Sequence, residues 1–250
     1  MTKATTGKRT RNLFDPAATK PYKLSRSKLE RFTQCPRCFY LDRRLGVDRP
    51  DMPGWTLNTA VDALLKNEFD AYRDRGEPHP LMQRHGIDAV PFRHPDLDVW
   101  RQNLRGIQFH HQPTNLVISG AVDDVWIGSI GKLHVVDYKS TSTTQEISFD
   151  GHARREYKRQ AEIYQWLLRQ NGHDVSDTAY FVYANAHRDR PEFAGRLEFD
   201  LLLFPYDGSA AWVERCVVDA HRCLMSDAPP PPASGCSYCL YRLAAGQVGV

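Results

Sequence analysis

No uninterrupted apolar run in this sequence approaches the roughly 20 residues that a membrane-spanning helix needs, which excludes a helical membrane protein. No internal repeat is present, so solenoid and propeller architectures are excluded as well. The Gly-x-x-x-x-Gly-Lys-Ser/Thr loop that cradles nucleotide phosphates is missing. No apolar stretch follows the basic residues at the start, so no secretory signal is expected and the compartment reads as cytoplasmic. Thiols there stay reduced, which turns the six cysteines from disulfides towards metal ligands or core packing. What is there is ordinary for a globular chain: 250 residues, 41% apolar, 25% charged and 11% aromatic, enough for a substantial core without staples.

The net charge of +3 conceals an uneven spread. Lys3, Lys8, Arg9, Arg11, Lys20, Lys23, Arg26 and Lys28 face a single acid, Asp15, in the opening residues, and the remainder is acidic on balance. Residues 1–22 have no apolar periodicity and read as a basic flexible arm in which Lys8, Arg9 and Arg11 suit an anionic partner, nucleic acid above all. A main domain is expected over 23–228. The only low-complexity segment, Pro229–Pro232, then reads as a stiff spacer leading into a short cysteine-bearing tail, 229–250.

Within the main domain, Ser25 is placed to cap a first helix that Pro36 ends. Leu57, Val61, Leu64, Leu65, Phe69 and Tyr72 recur at three and four, predicting a helix over 56–73. Strand-like segments follow at 106–112, 116–127 and 132–140, then a helix through Gln160 and Tyr164, strands at 178–184 and 196–204, and a last helix over 207–225. The pattern predicts an α/β fold: a mixed central sheet begun by an antiparallel meander, with flanking helices. Ser129-Ile130-Gly131 has the form of a three-residue hairpin loop with its glycine left-handed.

Closing that hairpin with Gly128 opposite Lys132 sets Asp123 across from Asp137, and strand alternation puts Lys139 on the face of Asp137. Two facing acids repel and call for a cation. Two carboxylates and a backbone carbonyl, that of Tyr138, make a hard oxygen site suited to Mg²⁺ or Mn²⁺. Such an ion beside a lysine is what phosphodiester hydrolysis needs. An isolated Asp-x-Lys would equally be a solvated edge strand; the opposed aspartate and the helix carrying Gln160 and Tyr164 favour the site. Helix phase also sets Glu68 near the middle of its stripe, where an acid needs a partner or a metal.

Cys35-Pro36-Arg37-Cys38 and Cys236-Ser237-Tyr238-Cys239 lie near opposite ends of the chain. Together they read as one four-thiolate clasp joining the termini, a ligand set that serves Zn²⁺ and iron–sulfur clusters alike. Cys216 and Cys223 fall on the last helix and read as core thiols. The histidines lack ligand spacing.

These residues resemble the PD-(D/E)XK nucleases, in particular the RecB-type branch with the CRISPR-associated adaptation nucleases and AddB. Gly120-Ala121-Val122-Asp123 matches the family's G-x-x-D strand, Asp137-Tyr138-Lys139 its (D/E)-x-K, and Gln160 to Tyr164 its Q-x-x-x-Y helix. Leu24-Ser25, Cys35-Pro36 and Phe39-Tyr40 are similar to its N-terminal signature. The resemblance covers 24–242. It implies a restriction-endonuclease-like core and Mg²⁺- or Mn²⁺-dependent DNA hydrolysis. By it, Asp123, Asp137 and the Tyr138 carbonyl hold metal, Lys139 assists, and Gln160 and Tyr164 position DNA and water. It departs at the helix before the sheet, where the branch has a metal-binding histidine and this chain has Asp62; other members use a helical glutamate, which keeps Glu68 in view. Iron-staple relatives hold a [4Fe–4S] cluster on one N-terminal and three C-terminal cysteines. The split here is two and two, which departs from that pattern; the resemblance still selects the [4Fe–4S] cluster, with zinc as the alternative.

The expected function is therefore metal-dependent DNA cleavage. The rivals are a non-catalytic nucleic-acid-binding module on the same fold and a cysteine–metal interaction protein. Any coupling to ATP would come from a partner, a helicase or other DNA-processing protein.

Overall fold

A twenty-residue run without Pro or Gly, in which Ala and Leu are each present three times, forms the longest helix among the described residues. In the computed structural model, which describes residues 8–50, 54, 56–150 and 154–249, this helix is Thr56–Arg75. The chain divides into two compact units. One takes the described residues of Met1–Pro53, His110–Ile118 and Ala211–Val250; the other takes those of Gly54–Phe109 and Ser119–Ala210. The domain expected over 23–228 is thus shared between two units, because the first two helices and the last long one pack with the cysteine-bearing ends.

Numbered along the chain, the strands are β1 (Tyr22–Ser25), β2 (Ala89–Pro91), β3 (Ile107–His111), β4 (Leu116–Gly120), β5 (Asp124–Gly128), β6 (Leu133–Thr141), β7 (Thr178–Ala186) and β8 (Phe199–Asp207). The helices are α1 (Arg26–Gln34), α2 (Pro36–Arg43), α3 (Thr56–Arg75), α4 (Pro80–Arg84), α5 (Leu97–Trp100), α6 (Arg155–Gln170), α7 (Ala211–Met225) and α8 (Ser237–Gln247). A five-stranded sheet runs β2-β5-β6-β7-β8, and a three-stranded one β1-β4-β3. Only β6 and β7 pair in parallel in the larger sheet, and α6 is the crossover that a parallel pair requires. No described helix is long and apolar enough to cross a membrane.

The hairpin between β5 and β6 has the expected register: Asp124 pairs with Val136 and Val125 with Val135. Gly128 N–H donates to the Lys132 carbonyl at 2.9 Å, and Gly131 carries φ +83°, the left-handed position that only glycine adopts freely. Period-two alternation on β6 then separates two faces. Val136 and Tyr138 join Leu65 and Phe69 of α3, Trp126 and Val182 in the core, with the rings of Phe69 and Trp126 stacked at 5.5 Å. Asp137 and Lys139 take the opposite face.

Helix α3 corrects the stripe drawn from spacing alone. Leu65 and Phe69 are buried, whereas Leu57 and Leu64 are 58% and 67% exposed. The predicted strand 116–127 breaks at 121–123, where the chain leaves β4 for β5. Pro36 does end α1, with Cys35 extended, but it also opens α2 at a position where its missing N–H costs nothing.

Candidate functional site

On β6, Asp137 is fully buried, and its Oδ1 accepts a hydrogen bond from Gln160 Nε2 at 2.8 Å. The same amide reaches Tyr164 Oη at 3.2 Å. Gln160 and Tyr164 stand one turn apart on α6, which is how residues four apart share a helix face. The other Asp137 oxygen pairs with the Lys139 ammonium, which also lies 4.8 Å from the Tyr157 ring centroid and 3.5 Å from the Tyr138 carbonyl. Burial alone would lower the Lys139 pKa, but the charges of Asp137 and Asp123 outweigh it and hold it above the ordinary lysine value, so the group is a cation.

Asp123 lies one residue before β5, and the observed register continues to set it opposite Asp137. Its Oδ2 accepts the Tyr138 N–H at 3.0 Å, and its Oδ1 lies 3.6 Å from Lys66 Nζ. Removal from water raises its pKa to about 6, and the neighbouring Asp137 charge adds to this against the pull of Lys139 and Lys66. Lys66 also pairs with Asp62, one turn back on α3, at 2.7 Å. Three carboxylates and two ammonium groups thus form one connected cluster. A donor set of two aspartates and the Tyr138 carbonyl suits a hard divalent cation such as Mg²⁺ or Mn²⁺.

Two features brace this arrangement. Gly120 ends β4 against α6, where an added Cβ would lie 2.6 Å from Tyr164 Cε1 and 3.1 Å from Leu167 Cδ1. Behind Asp123, the adjacent Asp124 points the other way and is fully buried. Its carboxylate meets Arg73, Arg101 at 2.9 Å and the Tyr138 hydroxyl at 2.7 Å. The Tyr138 side chain therefore anchors the strand whose carbonyl, amide and neighbours make the site. Neither Asp124 nor Lys66 stood out in the sequence. The signal for the first was the tandem Asp123-Asp124, since alternation must bury one of the two; the signal for the second was a lysine four residues after Asp62.

Glu68 does not join the cluster, correcting the helix-phase reading. Its side chain is 49% exposed and its Oε1 lies 2.8 Å from His79 Nε2. His79 in turn caps α4, its Nδ1 accepting from Leu81 N–H at 3.0 Å. Of the two helix acids, Asp62 is the one linked to Asp123.

The basic arm also needs correction. Residues 1–7 lie outside the described residues, but from Arg9 onward the segment packs. Arg9 N–H donates to the Gly46 carbonyl at 2.9 Å, its guanidinium pairs with the fully buried Asp42 at 2.9 Å, and Phe14 is buried. Asp42 also meets Lys28 at 2.8 Å and Arg31 at 2.7 Å, so much of the basic surplus near the start neutralises a carboxylate inside the fold. Lys8 and Arg11 stay exposed.

In the other unit, Cys35, Cys38, Cys236 and Cys239 gather with all four sulfurs within 4.8 Å of one another. Cys38 Sγ lies 3.5 Å from Cys236 and 3.6 Å from Cys239, and Cys35 lies 3.9 Å from Cys239. Both pairs use one local device: the first cysteine is the N-cap of a helix, α2 or α8, and the second sits in its first turn. Backbone N–H groups favour the thiolate of Cys35, whereas burial raises the thiols of Cys38 and Cys239. Burial pushes the Cys35 thiol up, but backbone N–H bonds and its neighbours outweigh it and bring the pKa down to about 7. Cys223 turns instead to the Pro36 carbonyl at 3.8 Å, and Cys216 is buried in α7.

Residues 23–244 match the family model of the PD-(D/E)XK nuclease superfamily. The chain belongs to that superfamily, whose members point to a metal-dependent nuclease, a hydrolase of phosphodiester bonds. Among solved structures it is similar to one described as the crystal structure of SSO0001, at 14% identity and a TM-score of 0.39, covering 90% of this chain and 86% of that one. A search of curated proteins finds no match.

Proposed function

We propose that the protein is a Mg²⁺- or Mn²⁺-dependent DNA nuclease of the RecB-type branch. The observation that carries this is the opposed pair Asp123 and Asp137, with Lys139 on the face of Asp137 and Gln160–Tyr164 bonded behind it. Asp123, Asp137 and the Tyr138 carbonyl would hold the metal, which supplies a more acidic water and charge stabilisation at the phosphoryl oxygens. Lys139, kept cationic by the two aspartates, places positive charge beside the attacked phosphate. Gln160 fixes the rotation of the Asp137 carboxylate and is itself steadied by Tyr164. The Asp62–Lys66 pair stands beside Asp123, where it adjusts the local charge without being part of the ligand set. Order of motifs along the chain supports the RecB-type assignment, from Leu24-Ser25 and Cys35-Pro36 through to Gln160 and Tyr164.

For the cysteine centre we infer a single tetrahedral ion, zinc, in preference to an iron–sulfur cluster. Thiolates about 2.3 Å from one tetrahedral ion stand about 3.8 Å apart, and the closest sulfur pairs here are 3.5 to 3.9 Å apart. A cubane would hold each thiolate on its own iron and spread them further.

The test of the nuclease is cleavage of labelled DNA in Mn²⁺ or Mg²⁺ by wild type, Asp123→Ala, Asp137→Ala and Lys139→Ala. All three variants are expected to lose cleavage and to keep most of their DNA affinity, because affinity comes from phosphate contacts and chemistry from the ion. Wild-type protein that binds DNA yet cuts no more than the variants with any divalent ion would leave the binding-module reading in its place.

A further inference from the structure

A cleft of about 1270 Å³ in the sheet unit is not explained by the reaction just described. It starts at the site itself. Ser140 and Thr141, which follow Lys139 on β6, line it, and so does Tyr157, whose ring lies under the Lys139 ammonium. Its far wall is the connection from β7 to β8, residues 187–198. That connection is held by His187 N–H on the Glu198 carbonyl at 2.9 Å and by a turn in which Arg196 N–H donates to the Phe193 carbonyl at 2.9 Å. Both central residues of the turn, Ala194 and Gly195, have positive φ, as a type I′ turn requires. Phe193 stands at its corner, 68% exposed, with Leu197 and Leu57, 41% and 58% exposed, lining the same space.

A phenyl ring with no ring partner among the described residues, displayed at an open cleft, is costly to expose and suits the flat face of an unstacked base. Three arginines, Arg188, Arg190 and Arg196, line the cleft with it against Glu192 and Glu198. Arg190 answers Glu198 at 2.8 Å, and Arg188 reaches out to Thr144 Oγ1 at 3.2 Å. We propose that this cleft binds single-stranded nucleic acid on its way to the reacting phosphate, with Phe193 stacking on a base and Arg188 and Arg196 meeting phosphates. The proposal rests on the nuclease reading of the adjoining aspartates, and it specifies the substrate as a strand with unpaired bases, since in a duplex the base faces are already stacked on one another.

The experiment measures binding of the full chain to a labelled oligothymidylate and to a duplex of similar length, with chelator present so that nothing is cut. Phe193→Ala is expected to weaken oligothymidylate binding by roughly 5- to 150-fold, the range for loss of one stacked base, with little change on duplex. Phe193→Trp keeps a stacking face and should bind like wild type. Arg188→Gln and Arg196→Gln should each flatten the log–log salt dependence by about 0.7. Unchanged single-strand affinity in Phe193→Ala, or equal losses on both substrates, overturns the proposal. Cleavage is read separately with Mn²⁺. A wild type that binds through Phe193 but never cuts removes the nuclease reading and keeps the cleft; one that cuts with no regard to Phe193 removes the cleft and keeps the nuclease.

Discussion

Replacing Gly120 with alanine probes how the sheet and α6 share the site. To reach the 3.4 Å of ordinary contact from 2.6 Å, the Tyr164 ring must retreat by about 0.8 Å from the new methyl group. The ring is 3% exposed and Leu167 beside it is fully buried, so neither can swing into solvent. Overpacking of this kind costs about 1–3 kcal/mol, and at about 2–4 °C per kcal/mol for a chain of this size the melting temperature should fall by roughly 2–12 °C. The motion also travels. Tyr164 Oη is bonded to the Gln160 amide, and that amide to Asp137. A displacement approaching 1 Å in a group that positions the chemistry lowers turnover by up to roughly 100-fold, while DNA affinity, which comes mainly from phosphate contacts, should fall far less. Thermal unfolding and single-turnover cleavage with Mn²⁺ read the two effects. A Gly120→Ala protein with wild-type melting and wild-type turnover would refute the reasoning.

Asp124→Asn should destabilise by about 3–5 kcal/mol, since it leaves Arg73 and Arg101 without their buried counter-charge; chemical denaturation checks this, and a loss below 1 kcal/mol would mean that the arginines find water. Asp62→Asn is expected to shift the Mn²⁺ concentration needed for cleavage more than Glu68→Gln does, because only Asp62 shares Lys66 with Asp123; the reverse order in a metal titration would return Glu68 to the site. For the cysteine centre, Cys35→Ser or Cys236→Ser should release one equivalent of zinc and lower thermal stability, since metal bound only by the folded state adds to its stability. Brown protein bearing iron and sulfide would restore the cluster, and metal-free wild type of equal stability would remove the clasp.

Much of the site was legible because it hangs on one turn. Ser129-Ile130-Gly131 sets the register of β5 on β6, and register alone sets Asp123 against Asp137. The gathering of the two cysteine pairs was legible too, since four thiolates in two spaced pairs have few other uses. Periodicity was less informative on α3. It weighs Leu57 and Leu64 as if every leucine were buried, and so drew Glu68 into the stripe, whereas the helix turns Leu57 towards the cleft and Glu68 towards His79. Charge counting failed at the start of the chain for a related reason. Composition cannot distinguish a cation in solvent from one paired with a buried carboxylate, and Asp42 lies more than thirty residues from Arg9. The networks around Asp42 and Asp124 are products of tertiary contact, invisible in any local window.

The placement of the cysteines has a topological consequence. Nearly two hundred residues separate Cys38 from Cys236. With an ion on all four sulfurs the backbone between them is a closed ring, from which only the outermost residues emerge. Closing a ring of that size removes about 5 kcal/mol worth of freedom from the unfolded chain at room temperature. A protease that cuts the exposed loop at 187–198 would open the ring into two arms still held at their roots by the ion and along their length by the pairing of β7 with β8, and such nicked protein would run as one particle under native conditions and fall into two pieces in denaturant only once a chelator took the ion away.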